Sequence, residues 1–231
     1  RYGIKAYNTV RVQYGEAANL VTQPTEENLT NAIIKMTRTG TRTVCVLEGH
    51  GEPDIDDRES ARGYALLKQA LENETYVVKK VLLATLDAVP DDCTIAVVAG
   101  PTRPYLAQEL PLLDAFIKRG GNMLFLLPPR QAQEFAALLA AYGIALGDDV
   151  VVDQVVRLFQ GPALGLAPLV ETYDAVHEIT KPLTGRTLFP MTRSVGAGAA
   201  ADGVKVTELV KTSPSSWAEK DLAMLFDQQQ A

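Results

Sequence analysis

The order of apolar and polar residues predicts a short strand–strand–helix piece at the start of the chain. The alternation over Tyr7–Tyr14 indicates a strand that ends at Gly15, and a second short strand is predicted around Leu20. A helix follows from Thr25, a typical N-cap residue, to the turn at Gly40. Its apolar residues recur with helical spacing, so we expect one buried face made of Leu29, Ala32, Ile33 and Met36.

From Thr43 onward, apolar strand patterns alternate with helical patterns in four successive steps. This rhythm is typical of an α/β fold with a mostly parallel sheet and helices on both faces. The predicted strands are Thr43–Leu47, Tyr76–Leu83, Thr94–Ala99 and Asn122–Leu127, and the predicted helices are about Ser60–Asn73, about Gln108–Arg119 and one around Leu138–Tyr142.

After Gly147 the clear helical patterns stop, and the remaining strand-like pieces are expected to extend or cap the sheet. They are Val150–Asp153, Val155–Phe159, Arg186–Phe189 and Val204–Val210. The glycine-rich stretch over Val195–Gly203 is not followed by a helical pattern, so we interpret it as a flexible hairpin loop and not as a dinucleotide site. We therefore predict two parts: an N-terminal piece over residues 1–40, and an α/β domain over 41–231 with a β extension from about 148.

Composition and charge narrow the class of protein. The chain has 231 residues, of which 47% are hydrophobic and 22% charged, as in ordinary folded domains. Its net charge of −6 argues against nucleic-acid and anionic-lipid partners. The longest apolar run, Phe135–Leu146, is shorter than the roughly 20 residues that span a bilayer. Because the chain begins without Met, we expect it to be part of a larger polypeptide.

Polar residues follow the predicted parallel strands, where ligands bind in such folds. The candidate ligand-binding residues are Glu48, His50, Glu52, Asp54, Thr102, Arg103 and Arg130. The acids and His50 could hold a divalent cation, but such residues are also typical of an exposed turn before a helix. Their spacing matches no known metal cage, so we predict neither a metal nor a cofactor. The arginines, with Arg193, could bind an anion or pair with these acids.

The cysteines give no sign of catalysis. Cys93 precedes its strand whereas His50 follows the end of a neighbouring parallel strand, which separates them by about 20 Å. A Cys–His pair is therefore excluded in such a sheet. The spacing of Cys45 and Cys93 does not indicate a disulfide framework, and we expect Cys45 to be a small core residue.

Five segments follow one another over nearly the whole chain: VCVLEGHGEPDID, AGPTRP, LLDAFIKRGGNMLFLLPP, HEITKPL with TLFPMTRSV, and VTELVKTSPSSWAE. Together and in this order they resemble one family, the GldG-like (gliding-motility-type) auxiliary components of ABC transport systems. The resemblance implies the extracytoplasmic (periplasmic) domain of an inner-membrane protein, with membrane segments outside this chain. It also implies the permease and ATPase subunits as partners.

The resemblance further implies a class I glutamine-amidotransferase-like, flavodoxin-like fold, a module shared with intraflagellar-transport proteins. In catalytic relatives a Cys nucleophile follows the strand that corresponds to Asn122–Leu127, and here that place holds Pro128. The family pattern thus implies a fold without its nucleophile. Separately, YGIKAYNTVRVQYG resembles the second half of a thioredoxin-like unit, with Asn8 where that fold usually has Pro.

These observations favour a noncatalytic auxiliary domain that binds a ligand or docks on a permease. Two alternatives remain open from the residues alone. The first is a metal-assisted or acid–base hydrolase built on His50, Glu52 and Asp54. The second is a carbohydrate-binding module that uses Glu48, Thr102 and Arg103, with a small molecule or saccharide as the ligand.

Overall fold

The computed structural model describes residues 2–37, 40–154, 165–199 and 202–221. The chain divides into two compact units, one of residues 1–99 with 115–125 and one of residues 100–114 with 126–231. The predicted boundary between residues 40 and 41 stays a prediction. The predicted strand Val155–Phe159 lies outside the described residues.

The first unit begins with the predicted strand–strand–helix piece. Strand β1 (Val10–Tyr14) pairs antiparallel with β2 (Ala17–Val21), and helix α1 spans Glu26–Thr37. The Thr25 hydroxyl accepts a hydrogen bond from the Asn28 N–H at 3.2 Å, which confirms Thr25 as the N-cap.

The apolar face of α1 differs from the predicted one at one position. Ala32 is buried, and Leu29 and Met36 are half-buried. Ile33 is 51% exposed, so its predicted burial is wrong, and Ile34 is half-buried instead. The sheet beneath the helix has only two strands, and we attribute the exposure of Ile33 to this narrow support.

A four-stranded sheet carries the core of the first unit. Strand β3 spans Thr43–Leu47, β4 Val77–Val81, β5 Cys93–Ala99 and β6 Asn122–Leu126. The order is β4-β3-β5-β6, and β3 pairs in parallel with both β4 and β5. The helices are α2 (Ala65–Asn73), α3 (Leu110–Lys118) and α4 (Phe135–Ala141). The predicted flavodoxin-like α/β class is confirmed.

Burial explains why β3 occupies an inner position. All five of its residues are buried, as expected for a strand of a parallel sheet that is covered on both faces. One core cluster comprises Val44, Val46, Ile55, Val97 and Ala99. Ile55 belongs to the loop that follows β3, so the same core that stabilises the sheet also anchors this loop.

The two cysteines are joined, which corrects the sequence-based expectation. Cys45 of β3 and Cys93 of β5 form a disulfide, with their Cα atoms 5.7 Å apart. Both residues are buried. They are 48 positions apart in sequence, and only the parallel pairing of β3 with β5 makes them neighbours. Their sequence spacing gave no signal of this bond. Cys45 is buried in the core, as predicted, but it is not the free cysteine that the sequence suggested.

The second unit contains the predicted β extension as short antiparallel pairs. Strand β7 (Ile144–Leu146) pairs with β11 (Val195–Ala197), and β8 (Val150–Asp153) pairs with β13 (Ser216–Glu219). Strand β9 (Leu169–Tyr173) lies between β10 (Thr187–Leu188) and β12 (Val210–Thr212).

Two predictions for this extension are corrected. The stretch Val195–Gly203, interpreted as a hairpin loop, begins with strand β11. Gly196 and Ala197 do not favour a strand by themselves, but pairing with β7 places them in one. The strand predicted over Val204–Val210 enters a ladder only at Val210.

Within the described ranges, no helix is long and apolar enough to cross a membrane.

Candidate functional site

The loop that follows β3 holds four of the predicted site residues, namely Glu48, His50, Glu52 and Asp54. The Glu48 N–H donates to the Val81 carbonyl at 3.0 Å, which ties the start of the loop to β4. At Gly49, φ is +116° and an added Cβ would lie 2.6 Å from the Leu82 side chain, so the position requires glycine.

His50 and Glu52 form a buried pair inside this loop. The Glu52 carboxylate accepts the His50 backbone N–H at 2.7 Å and lies 3.5 Å from His50 Nδ1. The two side chains are only 7% and 2% exposed. The hydrogen bond from the His50 backbone holds the Glu52 carboxylate inside the loop.

Asp54 and Asp56 are bound by lysines from the same unit. Lys80 Nζ of β4 lies 2.6 Å from Asp54 Oδ1 and 2.9 Å from Asp56 Oδ2. Lys68 Nζ of α2 lies 2.6 Å from Asp56 Oδ1. Hydrogen bonds from Lys68 and then Lys80 lower the pKa of Asp56 to about 2, and the hydrogen bond from Lys80 lowers that of Asp54.

This arrangement weakens the case for a cation at the loop. Two ammonium groups already contact three of the four carboxylate oxygens of Asp54 and Asp56, the oxygens with which these acids would bind a divalent cation. Among the residues that the structure describes, no group of three or more His, Cys, Asp or Glu side chains could hold a metal ion. The acids form an ion-pair network that fastens the loop to α2 and β4.

Replacing Lys80 tests this network. In Lys80→Met we expect the pKa of Asp54 and of Asp56 to rise towards the ordinary value, because each carboxylate loses an ammonium partner. The lowered pKa of Asp56 stabilises the fold above about pH 4, and this stabilisation is lost as the pH falls through about 2. The pKa values are measured by NMR titration of the side-chain carboxyl carbons.

Lys79→Met is the matched control, because Lys79 pairs with Asp92 at 2.6 Å and not with the loop. This variant should raise the pKa of Asp92 and leave those of Asp54 and Asp56 unchanged. Unchanged Asp54 and Asp56 pKa values in Lys80→Met would contradict the network.

The other three predicted site residues lie in the second unit. Thr102 and Arg103 follow β5, Arg130 follows β6, and all three are exposed. The grouping of all seven candidates at one edge stays a prediction.

Pro128 lies in the turn after β6. This turn has a buried partner. It is fastened by Arg193, whose side chain is 1% exposed. Arg193 Nε donates to the Gly147 carbonyl at 2.6 Å, and Nη1 donates to the Gln131 and Pro128 carbonyls at 3.0 and 3.3 Å. Burial lowers the pKa of Arg193, and the nearby Asp148 and Asp149 oppose this shift. This guanidinium is used within the fold, where it donates to three backbone carbonyls of the second unit. The roles considered for it from the sequence, as an anion ligand or as a partner of the β3 loop, stay predictions.

Two residues of the same turn have strained backbones. Arg130 has φ of +63° and Ala132 φ of +59°, in the left-handed region that non-glycine residues rarely adopt. Such conformations persist only where surrounding contacts impose them. The Arg193 hydrogen bonds to Pro128 and Gln131 supply such contacts.

The structure confirms that Cys93 and His50 lie at opposite ends of paired strands. Cys93 opens β5 opposite Thr43, the first residue of β3, whereas His50 follows the end of β3. Cys93 is also engaged in the disulfide with Cys45, so it carries no free thiol.

Comparison with known proteins identifies a family and a fold. No curated protein matches the chain. The chain is similar to a solved structure described as the mmIFT52 N-terminal domain, with a TM-score of 0.57 and 17% identity over 76% of this chain and 75% of that one. This similarity concerns the fold alone. Residues 41–231 match the model of a family described as an ABC-type uncharacterized transport system. The family's name marks its members as auxiliary proteins of ABC transport. The chain therefore belongs to this family of ABC transport auxiliary proteins.

Proposed function

We propose that this chain is a noncatalytic, GldG-like module of an ABC transport system that docks on the permease or presents a ligand to it. Membership of the auxiliary family supports the association with permease and ATPase components. The observation that carries the noncatalytic part is the turn after β6, where Arg193 binds the carbonyl of Pro128. The resemblance assigns the nucleophile of catalytic relatives to this position, and proline supplies none.

The chemistry of this turn explains why it favours a scaffold over an enzyme. Proline has no side-chain nucleophile, and the buried Arg193 guanidinium is already hydrogen-bonded to three backbone carbonyls. In the β3 loop, Asp54 and Asp56 are held in ion pairs that lower the pKa of each carboxyl group. Near neutral pH both are therefore ionised, and neither has a proton to donate as a general acid.

We place this module outside the cytoplasm, as a membrane-anchored protein whose anchoring segments are not part of this chain. The Cys45–Cys93 disulfide supports this location, because disulfides persist in oxidising compartments and are rare in the cytosol.

Thiol trapping in intact cells tests the location. After an acid quench and denaturation, a maleimide reagent should label neither cysteine unless the sample is first reduced. The Cys45→Ser/Cys93→Ser double variant is the control for labelling elsewhere. Labelling of most of the wild-type chains without prior reduction would contradict an oxidising compartment.

Purification of the full-length protein from membranes tests the association. In mild detergent, a tagged copy should retain the permease and ATPase of the same transport system, identified by mass spectrometry. An unrelated membrane protein with the same tag, expressed at the same level, is the control. Repeated recovery without either subunit would contradict the proposal.

A further inference from the structure

Residues of two strands, each with an unpaired edge, line a common cavity in the second unit. Among the described residues, β11 pairs only with β7, and β12 pairs only with β9. Val195 of β11 and Val210 and Thr212 of β12 line a cavity of about 530 Å³. Each strand thus has an edge without a ladder, and an open edge is a template for pairing with another strand.

The residues that precede β12 extend this open edge. Residues 204–209 have the alternation VKVTEL, which favours a strand, yet they enter no ladder. Within the described chain, no backbone hydrogen bond joins residues 204–208 to another segment. Residues 205–209 of this stretch and Ala197 of β11 line a second cavity of about 740 Å³. A segment that favours a strand but enters no ladder among the described residues offers a place for a further strand to pair.

We propose that the slot between β11 and residues 204–212 receives one extended segment of the permease, which adds a strand by β-augmentation. This inference rests on the proposed docking function and names the docking site. Residues 204–212 span about 30 Å in extended form, enough to pair with a strand of ordinary length. Backbone hydrogen bonds would supply the affinity, and the cavities would accept alternate side chains.

The lining of the slot specifies the chemistry of that segment. Five apolar side chains line part of the first cavity, namely Val151, Val170, Phe189, Val195 and Val210. The entering strand should therefore be apolar at alternate positions. Glu208 and Lys211 already pair at 3.3 Å, and Asp174 accepts the N–H groups of Val176 and His177.

Lys205 differs from these charged neighbours. It lines the second cavity, is exposed, and forms no salt bridge within the part of the chain that the structure describes. The hydrogen bond from the His177 backbone lowers the pKa of Asp174 in the same cavity, and the Lys205 charge helps to lower it. An acidic residue on the entering strand would complement this charge. The partner segment is therefore expected to alternate apolar residues with polar ones, with an acid opposite Lys205.

Proline substitution tests the backbone pairing. Consecutive residues of a strand direct their N–H groups to opposite edges. Proline has no N–H, so only one of the variants Val206→Pro and Thr207→Pro removes a donor that faces the slot. The other variant removes a donor on the opposite edge and serves as the control. The full-length variants are bound to purified permease in detergent. We expect one of them to weaken binding at least tenfold and the other to change it by less than threefold, with thermal unfolding confirming that both are folded.

Two further measurements make the outcome decisive. Lys205→Glu should weaken binding more than Lys205→Ala does, because it repels the acid. Amide hydrogen exchange over residues 204–208 should slow in the complex. Normal binding by both proline variants, with unchanged exchange over 204–208, would overturn the slot while leaving permease docking intact. Absence of any complex with the wild-type protein would overturn both.

Discussion

Loss of the Cys45–Cys93 disulfide is expected to lower the free energy of unfolding by about 4 kcal/mol. The bond closes a loop over a sequence separation of 48, and the chain-entropy relation gives roughly this value for such a loop. Domains have total stabilities of about 5–15 kcal/mol, so this loss is a large fraction of the whole. The bond also fastens β3 to β5, the two inner strands of the sheet.

Urea unfolding of the oxidised and fully reduced protein measures this effect. The midpoint should fall markedly on reduction. The Cys45→Ala/Cys93→Ala variant is the control for the reductant itself, because its midpoint should not respond to reductant. A difference below about 1 kcal/mol between oxidised and reduced wild type would contradict a stabilising role.

Replacement of the buried Arg193 is expected to cost at least about 3 kcal/mol. In Arg193→Met the apolar stem is kept, but the carbonyls of Pro128, Gln131 and Gly147 lose their donor. An acceptor left unsatisfied away from water costs about 1–3 kcal/mol. Arg193→Lys should recover only part of the loss, because one ammonium cannot reproduce the planar fork of the guanidinium.

Arg186→Met is the matched control for this experiment. Arg186 is 70% exposed and pairs with Glu171 at 2.7 Å, and exposed pairs contribute about 0–1 kcal/mol. Urea unfolding at constant pH compares the variants. Equal stability of Arg193→Met and Arg186→Met would show that the turn after β6 does not depend on the guanidinium.

The central sheet was predictable because its strands are continuous apolar runs. β3, β5 and β6 lie within about one residue of their predicted bounds. Helix α2 begins at Ala65, later than predicted, because the Asp57 carboxylate accepts the N–H groups of Glu59 and Ser60 in a turn. Polar side chains that hydrogen-bond the backbone compete with helix formation at such starts.

The contacts that define the candidate site were not predictable, since they depend on strand order and on distant side chains. Asp54 and Asp56 are close in sequence, but their lysine partners come from α2 and β4. Arg193 lies 65 positions from Pro128, and nothing in its local sequence indicates the hydrogen bond between them. The disulfide required the pairing of β3 with β5 to be known.

The short strands of the second unit were the hardest to predict. β7 and β11 have three residues each, too few for a period-2 pattern to stand out. Residues 204–209 show the opposite case, in which a clear strand pattern has no ladder within the described chain. That mismatch between local preference and observed pairing motivates the proposed docking slot.

Titration in detergent measures the affinity of the purified full-length protein for the purified permease–ATPase complex, and so tests noncatalytic docking itself. We expect saturable binding with a Kd in the micromolar range or below, and no chemical conversion of any bound small molecule. Absence of binding at about 100 μM, or turnover of a substrate that one substitution near Pro128 abolishes, would contradict it.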